Sequence, residues 1–174
     1  MTVYVFGYGS LINQESAART LHRLPTREEL IPARLHGWQR KWQIDAEAFL
    51  DDQPARLVFL DIVPSGNGTP VNGILIPLNT DDELARLDQR ERHYNRTDVT
   101  RIIDPGIDGI IYTYIGKPER TNPPPDALVM SEYERVVAEG LHFWGTDFEN
   151  EYHRTTIPHE FNRHHGSYRW KPKG

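Results

Sequence analysis

Apolar and polar positions along the chain mark out a series of short elements. Val3, Tyr4, Val5 and Phe6 form an apolar run of β-branched and aromatic residues that stops at Gly7, which predicts a strand. Ala17, Ala18 and Leu21 recur at helical spacing and predict a helix over 14–24. Residues 34–44 mix aromatic and basic side chains, and Trp38 and Trp42 suit a pleated surface, so a strand is expected there. The clearest strand patterns are 56–63 and 71–78. A loop of Pro, Gly and Asn joins them, which predicts a hairpin with a longer connection. Thr80 followed by Glu83 reads as a capping box opening a helix over 81–90. Two more strands are expected at 97–103 and 109–115, around the turn Asp104-Pro105-Gly106. Residues 117–126 carry four prolines and predict a loop. Ser131 and Glu134 form a second capping box, followed by Tyr133, Val136, Val137 and Leu141 on one helix face. Beyond Gly145 the periodicity fades.

Strand pairs joined by short turns, with helices between them, indicate an α+β fold. Five or six strands in one unit fit a small mixed, partly closed β-barrel with flanking helices. The 174 residues suffice for one domain with its own core, expected over 1–150. Residues 151–174 read as a C-terminal extension packed on it. The 25 acidic and 20 basic residues give a net charge of −5, which argues against a dedicated nucleic-acid binder. The absence of cysteine excludes disulfides, thiolate nucleophiles and Cys-ligated metals. The first residues lack the basic and long apolar regions of a signal peptide, and no apolar run approaches the ~20 residues that span a bilayer. A soluble, cytoplasmic protein without membrane association is expected.

Two features carry candidate chemistry. The first is the bend Gly7-Tyr8-Gly9-Ser10-Leu11 after the first strand. Glycine lets a ligand approach the backbone, and successive N–H groups can receive an anion. A dinucleotide fingerprint would need Gly or Ala where Ile12 stands, and no Gly-Lys-Ser/Thr exists for a phosphate loop. A tight turn without a ligand fits the same spacing. The second feature is Glu91. With Leu84 and Leu87 it lies at i, i+3 and i+7, so on a continued helix it falls within about 20° of Leu84, toward the core. Burial raises a carboxylate pKa and suits it to general acid/base work near neutral pH. Arg86, Arg90, Arg92 and Arg96 also allow a solvated ion pair.

The segment Val3-Tyr4-Val5-Phe6-Gly7-Tyr8-Gly9-Ser10-Leu11 resembles the Tyr-Gly-Ser/Thr-Leu opening of the γ-glutamylcyclotransferase-like family, with its AIG2-like and ChaC-like relatives. Leu87-Asp88-Gln89-Arg90-Glu91, followed by Tyr94, is similar to that family's Leu-Asp-x-x-Glu segment. Residues 110–114 and 131–145 resemble its later elements, so the likeness runs in order over 3–145. The resemblance implies the small mixed barrel. It also implies cyclisation of a γ-glutamyl group to 5-oxoproline with release of an amine, without metal or cofactor. It gives Glu91 the acid/base role and places Gly7, Tyr8, Gly9, Ser10, Leu11 and Tyr114 against a small γ-glutamyl substrate. Arg92 and His93 follow Glu91 where relatives often carry smaller residues.

The tail is rich in histidine, arginine and aromatics. His159 and His164 are five residues apart, about 140° around a helix, which does not match a zincin pair, so no metal site is expected. Arg163, Arg169, Lys171 and Lys173 could touch nucleic acid, against the overall charge. Phe161, Tyr168 and Trp170 are costly to leave exposed, so the tail is expected to close the pocket or to form a homodimer contact. A non-catalytic binding module on the same fold remains the alternative to the enzyme.

Overall fold

A computed structural model describes residues 1–172; Lys173, counted above in the basic tail, lies outside the described residues. The chain builds an α+β fold around a curled half-barrel sheet. In chain order the elements are β1 (Val3–Gly7), α1 (Gln14–Leu21), β2 (Ile31–Leu35), β3 (Trp38–Leu50), β4 (Gln53–Pro64), β5 (Val71–Leu78) and α2 (Asp81–Arg90). There follow β6 (Tyr94–Asp98), β7 (Ile103–Asp104), β8 (Ile110–Gly116), β9 (Leu128–Met130), α3 (Ser131–Trp144), α4 (Thr146–Arg154), β10 (Asn162–His164) and β11 (Arg169–Trp170). One six-stranded sheet runs β6-β8-β1-β5-β2-β7 and a five-stranded sheet runs β10-β9-β4-β3-β11.

The expected hairpin of 56–63 with 71–78 does not form, because β4 and β5 lie in different sheets. β4 pairs antiparallel with β3 instead, closing from Leu50 opposite Gln53. The two turn residues, Asp51 and Asp52, have φ of 47° and 61°, as a two-residue hairpin turn of matching twist requires. The 64–70 loop carries the chain from one sheet to the other. β5 is flanked by β1 and β2, which explains its nearly unbroken burial. The strand expected at 34–44 divides at Gly37 into β2 and β3. The strand expected at 97–103 is β6, ending at Asp98, then a 3-10 turn over Thr100–Ile102 before β7. The first predicted helix stops at Leu21, capped by His22 in the left-handed region.

Capping follows the sequence once and departs from it once. Thr80 accepts the Glu83 N–H at 3.3 Å. The Glu83 carboxylate, 3 % exposed, reaches back to the Asn79 N–H at 2.6 Å and takes the Arg23 guanidinium at 2.7 Å. At α3 no such box exists. Met130 holds the cap position, so Ser131 is already helical and its hydroxyl has no hydrogen-bond partner. Glu134 turns instead to Arg163, 2.7 Å away.

The core forms around both faces of β1 and β5. Phe6, Ile12, Leu35, Leu75 and Ile111 are among its buried members. α3 presses on the start of α1 through Gly140, where a Cβ would lie 2.8 Å from the Asn13 nitrogen. The Asn13 amide donates to the Val136 carbonyl at 2.8 Å, while its oxygen caps α1. These contacts fix the bend between β1 and α1. Beyond residue 154 the chain adds β10, parallel to β9, and β11, antiparallel to β3. Among the described residues no helix is long and apolar enough to cross a membrane.

Candidate active site

The bend after β1 is held from behind by one buried side chain. Arg40, on β3, is 0 % exposed. Its Nε donates to the Tyr8 carbonyl at 2.6 Å, Nη2 to Asn72, and Nη1 to Thr155 Oγ1 at 2.8 Å. The guanidinium lies 4.1 Å from the Tyr152 ring centre. Burial lowers its pKa to about 10, so it remains charged at neutral pH. Because the Tyr8 carbonyl faces Arg40, the Gly9 N–H in the same peptide plane is directed away from it. The Tyr8, Gly9 and Ser10 amides donate to no acceptor among the described residues. The turn is as tight as its glycines permit. A Cβ at Gly7 would lie 2.6 Å from that of Leu11, and one at Gly9 would lie 3.0 Å from the Tyr133 hydroxyl.

Glu91 is not the continuation of α2 that the sequence suggests. It is the C-cap residue, with φ −93° and ψ 35°. Its side chain still packs inward and is 16 % exposed. Burial raises the pKa of its carboxyl above the usual value, and Arg90 opposes the rise. Arg90 Nε lies 3.2 Å from Glu91 Oε1. The rest of the guanidinium donates to the Ser10 and Ser16 hydroxyls, each at 2.9 Å, and to the Ser16 carbonyl at 2.8 Å. Arg90 therefore ties the carboxylate to the glycine bend.

Asp88, one turn earlier, holds the neighbouring strands. It accepts the Tyr114 hydroxyl at 2.8 Å and Arg96 at 2.7 Å. The Tyr114 carbonyl in turn accepts the Tyr8 hydroxyl at 2.6 Å. Gly7, Tyr8, Gly9, Ser10, Leu11, Tyr114 and Glu91 thus come together around one inner cavity of about 30 Å³. It adjoins an outer cavity of about 390 Å³, and Ser10, Glu91, Tyr94 and Tyr133 line both. Glu91 stands at the junction.

Burial pushes the Tyr8, Tyr94, Tyr114 and Tyr133 hydroxyls above their ordinary pKa, so they stay protonated. Tyr94 donates to the Leu60 carbonyl at 2.6 Å. His93 is lowered to about 4 by burial and by Arg92, and is neutral at pH 7. A second buried carboxylate, Asp61, is raised by burial although the Ile62 and Gly116 amides and Gln43 donate to it at 2.7–2.8 Å. Sequence reasoning assigned no role to Arg40 or Asp61, named Arg90 only among four arginines able to pair with Glu91, and Tyr133 only as a member of the α3 face. A strongly polar residue within a strand pattern was the one available signal for the first two. Phe59, Tyr168 and Trp170 wall the outer cavity, so the tail contributes to it. His159 is used in packing, 4.9 Å from the Trp42 ring centre and 3.4 Å from Glu134.

The site can hold an anion against backbone amides and move protons through one carboxylate beside it. Comparison with known proteins gives the fold and the family. A γ-glutamyl cyclotransferase solved by others matches with a TM-score of 0.62 at 17 % identity, covering 92 % of this chain and 91 % of its own. A human protein, loc79017, matches with a TM-score of 0.61 at 17 % identity over 92 % of this chain and 91 % of its own. YkqA from Bacillus subtilis matches at 0.61 and 16 % identity, over 88 % of this chain, which spans 53 % of that longer protein. These likenesses establish the fold. No curated protein sequence matches significantly. The family model described as gamma-glutamyl cyclotransferase, AIG2-like, matches residues 5–135, and with three quarters of its length so matched the chain belongs to that family.

Proposed function

We propose that the protein is a γ-glutamyl cyclotransferase. It closes a γ-glutamyl amine or peptide on itself, forms 5-oxoproline and frees the amine. The observation that carries this reading is the half-buried Glu91 carboxylate at the junction of two cavities, beside a bend whose Tyr8, Gly9 and Ser10 amides donate to no acceptor among the described residues.

The nucleophile is the substrate's own α-amine, which arrives as an ammonium. Glu91 takes a proton from it, and the freed lone pair attacks the γ-carbonyl carbon. A C–N bond closes the five-membered ring, and the carbonyl oxygen takes up negative charge. The Tyr8, Gly9 and Ser10 amides are suited to that oxygen or to the substrate's α-carboxylate. Collapse restores the carbonyl and breaks the bond to the leaving nitrogen. Two protons leave the attacking nitrogen between ammonium and lactam N–H. Two arrive at the leaving nitrogen between amide N–H and ammonium, and Glu91 carries them. A carboxylate of raised pKa is matched to both directions of transfer. No electrons are exchanged, so no redox cofactor is part of the proposal. The walls hold the flexible glutamyl chain folded and so supply proximity.

The test is chromatographic detection of 5-oxoproline after incubating purified protein with γ-glutamyl amino acids, glutathione and ε-(γ-glutamyl)lysine. Release by the wild type and its loss in Glu91→Gln are expected. Silence across the whole panel would make the chain a non-catalytic binding module on this fold.

A further inference from the structure

The outer cavity extends past Glu91 into a region the cyclisation itself does not use. Phe59 of β4, together with Tyr168 and Trp170 of the C-terminal segment, walls that end. The Trp170 ring centre lies 5.6 Å from Phe59 and 5.1 Å from Tyr168, with an interplanar angle of 86° to the latter. Trp170 is 37 % exposed although it sits within this cluster. An indole left that open at the rim of a cavity has apolar area available to a ligand.

Charge at this end is equally specific. The Arg92 guanidinium lies 5.0 Å from the Trp170 ring centre. Its neighbours in sequence are committed, Arg90 to Glu91 and the serines, and Arg96 to Asp88. Arg92 pairs with no carboxylate among the described residues. Arg19, also lining the cavity, is exposed. The lining carboxylates are Glu91 and Glu132, and Glu132 is held by Arg135 at 3.0 Å. The free charge facing this end is therefore positive.

We propose that this end receives the leaving amine, and that the favoured amine is an aromatic α-amino acid. Its ring lies against Phe59, Tyr168 and Trp170, and its carboxylate meets Arg92. This rests on the cyclotransferase reading and narrows its substrate class. A lysine ε-amide would bring its α-ammonium beside its carboxylate, so that end carries no net negative charge toward Arg92 and Arg19. A cysteinylglycine would supply the carboxylate without the ring.

The test compares kcat/KM for γ-glutamylphenylalanine, γ-glutamylalanine, ε-(γ-glutamyl)lysine and γ-glutamylphenethylamine. The phenylalanine compound is expected to exceed the alanine compound by about tenfold or more, from ring burial and aromatic contact. Trp170→Ala should lower kcat/KM for the phenylalanine compound far more than for the alanine compound, and Trp170→Phe should keep most of the preference. Arg92→Gln should cost the phenylalanine compound about tenfold, and the phenethylamine compound, whose leaving amine has no carboxylate, much less. Equal rates for ring and methyl side chains overturn the inference, as does preference for the lysine compound. Equal losses on both substrates in Trp170→Ala also overturn it, because they mark a merely structural tryptophan. Turnover of none of the four compounds overturns this inference, and silence of glutathione as well overturns the cyclotransferase reading itself.

Discussion

Arg90 and Glu91 are consecutive and face one another, with Nε and Oε1 3.2 Å apart. Two opposed influences meet in that contact. Burial favours the neutral carboxyl, and the guanidinium favours the ionised one. Burial is the larger. The result is a carboxylate held in place by the same side chain that fixes the Ser10 and Ser16 hydroxyls.

Glu91→Gln keeps the volume of the side chain and an acceptor for Arg90, but it cannot carry a proton. On the proposed mechanism kcat falls by about 10²–10⁴-fold while substrate Kd changes little. Stability at pH 7 holds or rises, because a buried charge is removed. The sign follows from the raised pKa. The ionised form costs the folded state, and that cost enters as pH rises from the ordinary value of 4.5 through the folded one. Melting curves of wild type and variant should converge below pH 4.5. Near-normal kcat in a folded variant removes Glu91 from the chemistry.

Arg90→Gln tests the pairing from the other side. Without the guanidinium, burial acts on Glu91 unopposed. On the proposed mechanism the acid limb of kcat/KM follows Glu91, whose pKa burial already raises, and it should move to still higher pH. An unshifted limb means that a different group controls it. The same variant strips donors from the Ser16 carbonyl and the Thr20 hydroxyl, so a lower melting temperature is expected beside the pH shift.

The site was legible in the sequence to the extent that its parts are local. The bend from Gly7 to Leu11 announces itself through two glycines after an apolar strand, and Glu91 through its spacing from Leu87. What joins them was not legible. Arg40 lies 32 residues from Tyr8 and donates to its carbonyl, and strand alternation marks which face a residue occupies without saying that an arginine is buried there. The pairing of β3 with β4 was hidden because Asp51-Asp52 makes its turn without the glycine that normally signals one. The glycine-rich loop at 64–70 attracted the hairpin assignment instead. Glu91 itself was placed on the right face for an incomplete reason, since α2 ends at Arg90 and the cap conformation aims the carboxylate. β10 and β11, of three and two residues, are too short to leave a period.

Arg40→Met keeps an apolar stem and removes the donors. The Tyr8 carbonyl, the Asn72 side chain and Thr155 each lose a buried partner. At about 1–3 kcal/mol for each unsatisfied buried group, a total loss of at least about 3 kcal/mol is expected. Urea unfolding measures it. The bend should loosen as well, so KM should rise in whatever fraction remains folded. A variant as stable as wild type would show that water replaces the guanidinium at little cost.

Removal of residues 159–174 separates closure of the pocket from support of the core. The cut keeps Thr155 and Thr156, which accept from Arg40 Nη1, and keeps the Ile157 N–H on the Arg40 carbonyl. It takes away His159 from Trp42 and both Tyr168 and Trp170 from Phe59. Each lost aromatic pair costs about 0.5–1.5 kcal/mol, so the truncated chain should fold with a lower melting temperature. Glu91, Arg90 and the glycine bend remain. On the proposed mechanism KM therefore rises, because one wall of the outer cavity is gone, while kcat changes less. Sedimentation of both forms tells closure from association: an unchanged mass with raised KM assigns the segment to the pocket, and a fall from dimer to monomer assigns it to an interface between copies. Unchanged KM, kcat and mass together would leave the segment as an appendage and take Tyr168 and Trp170 out of the site.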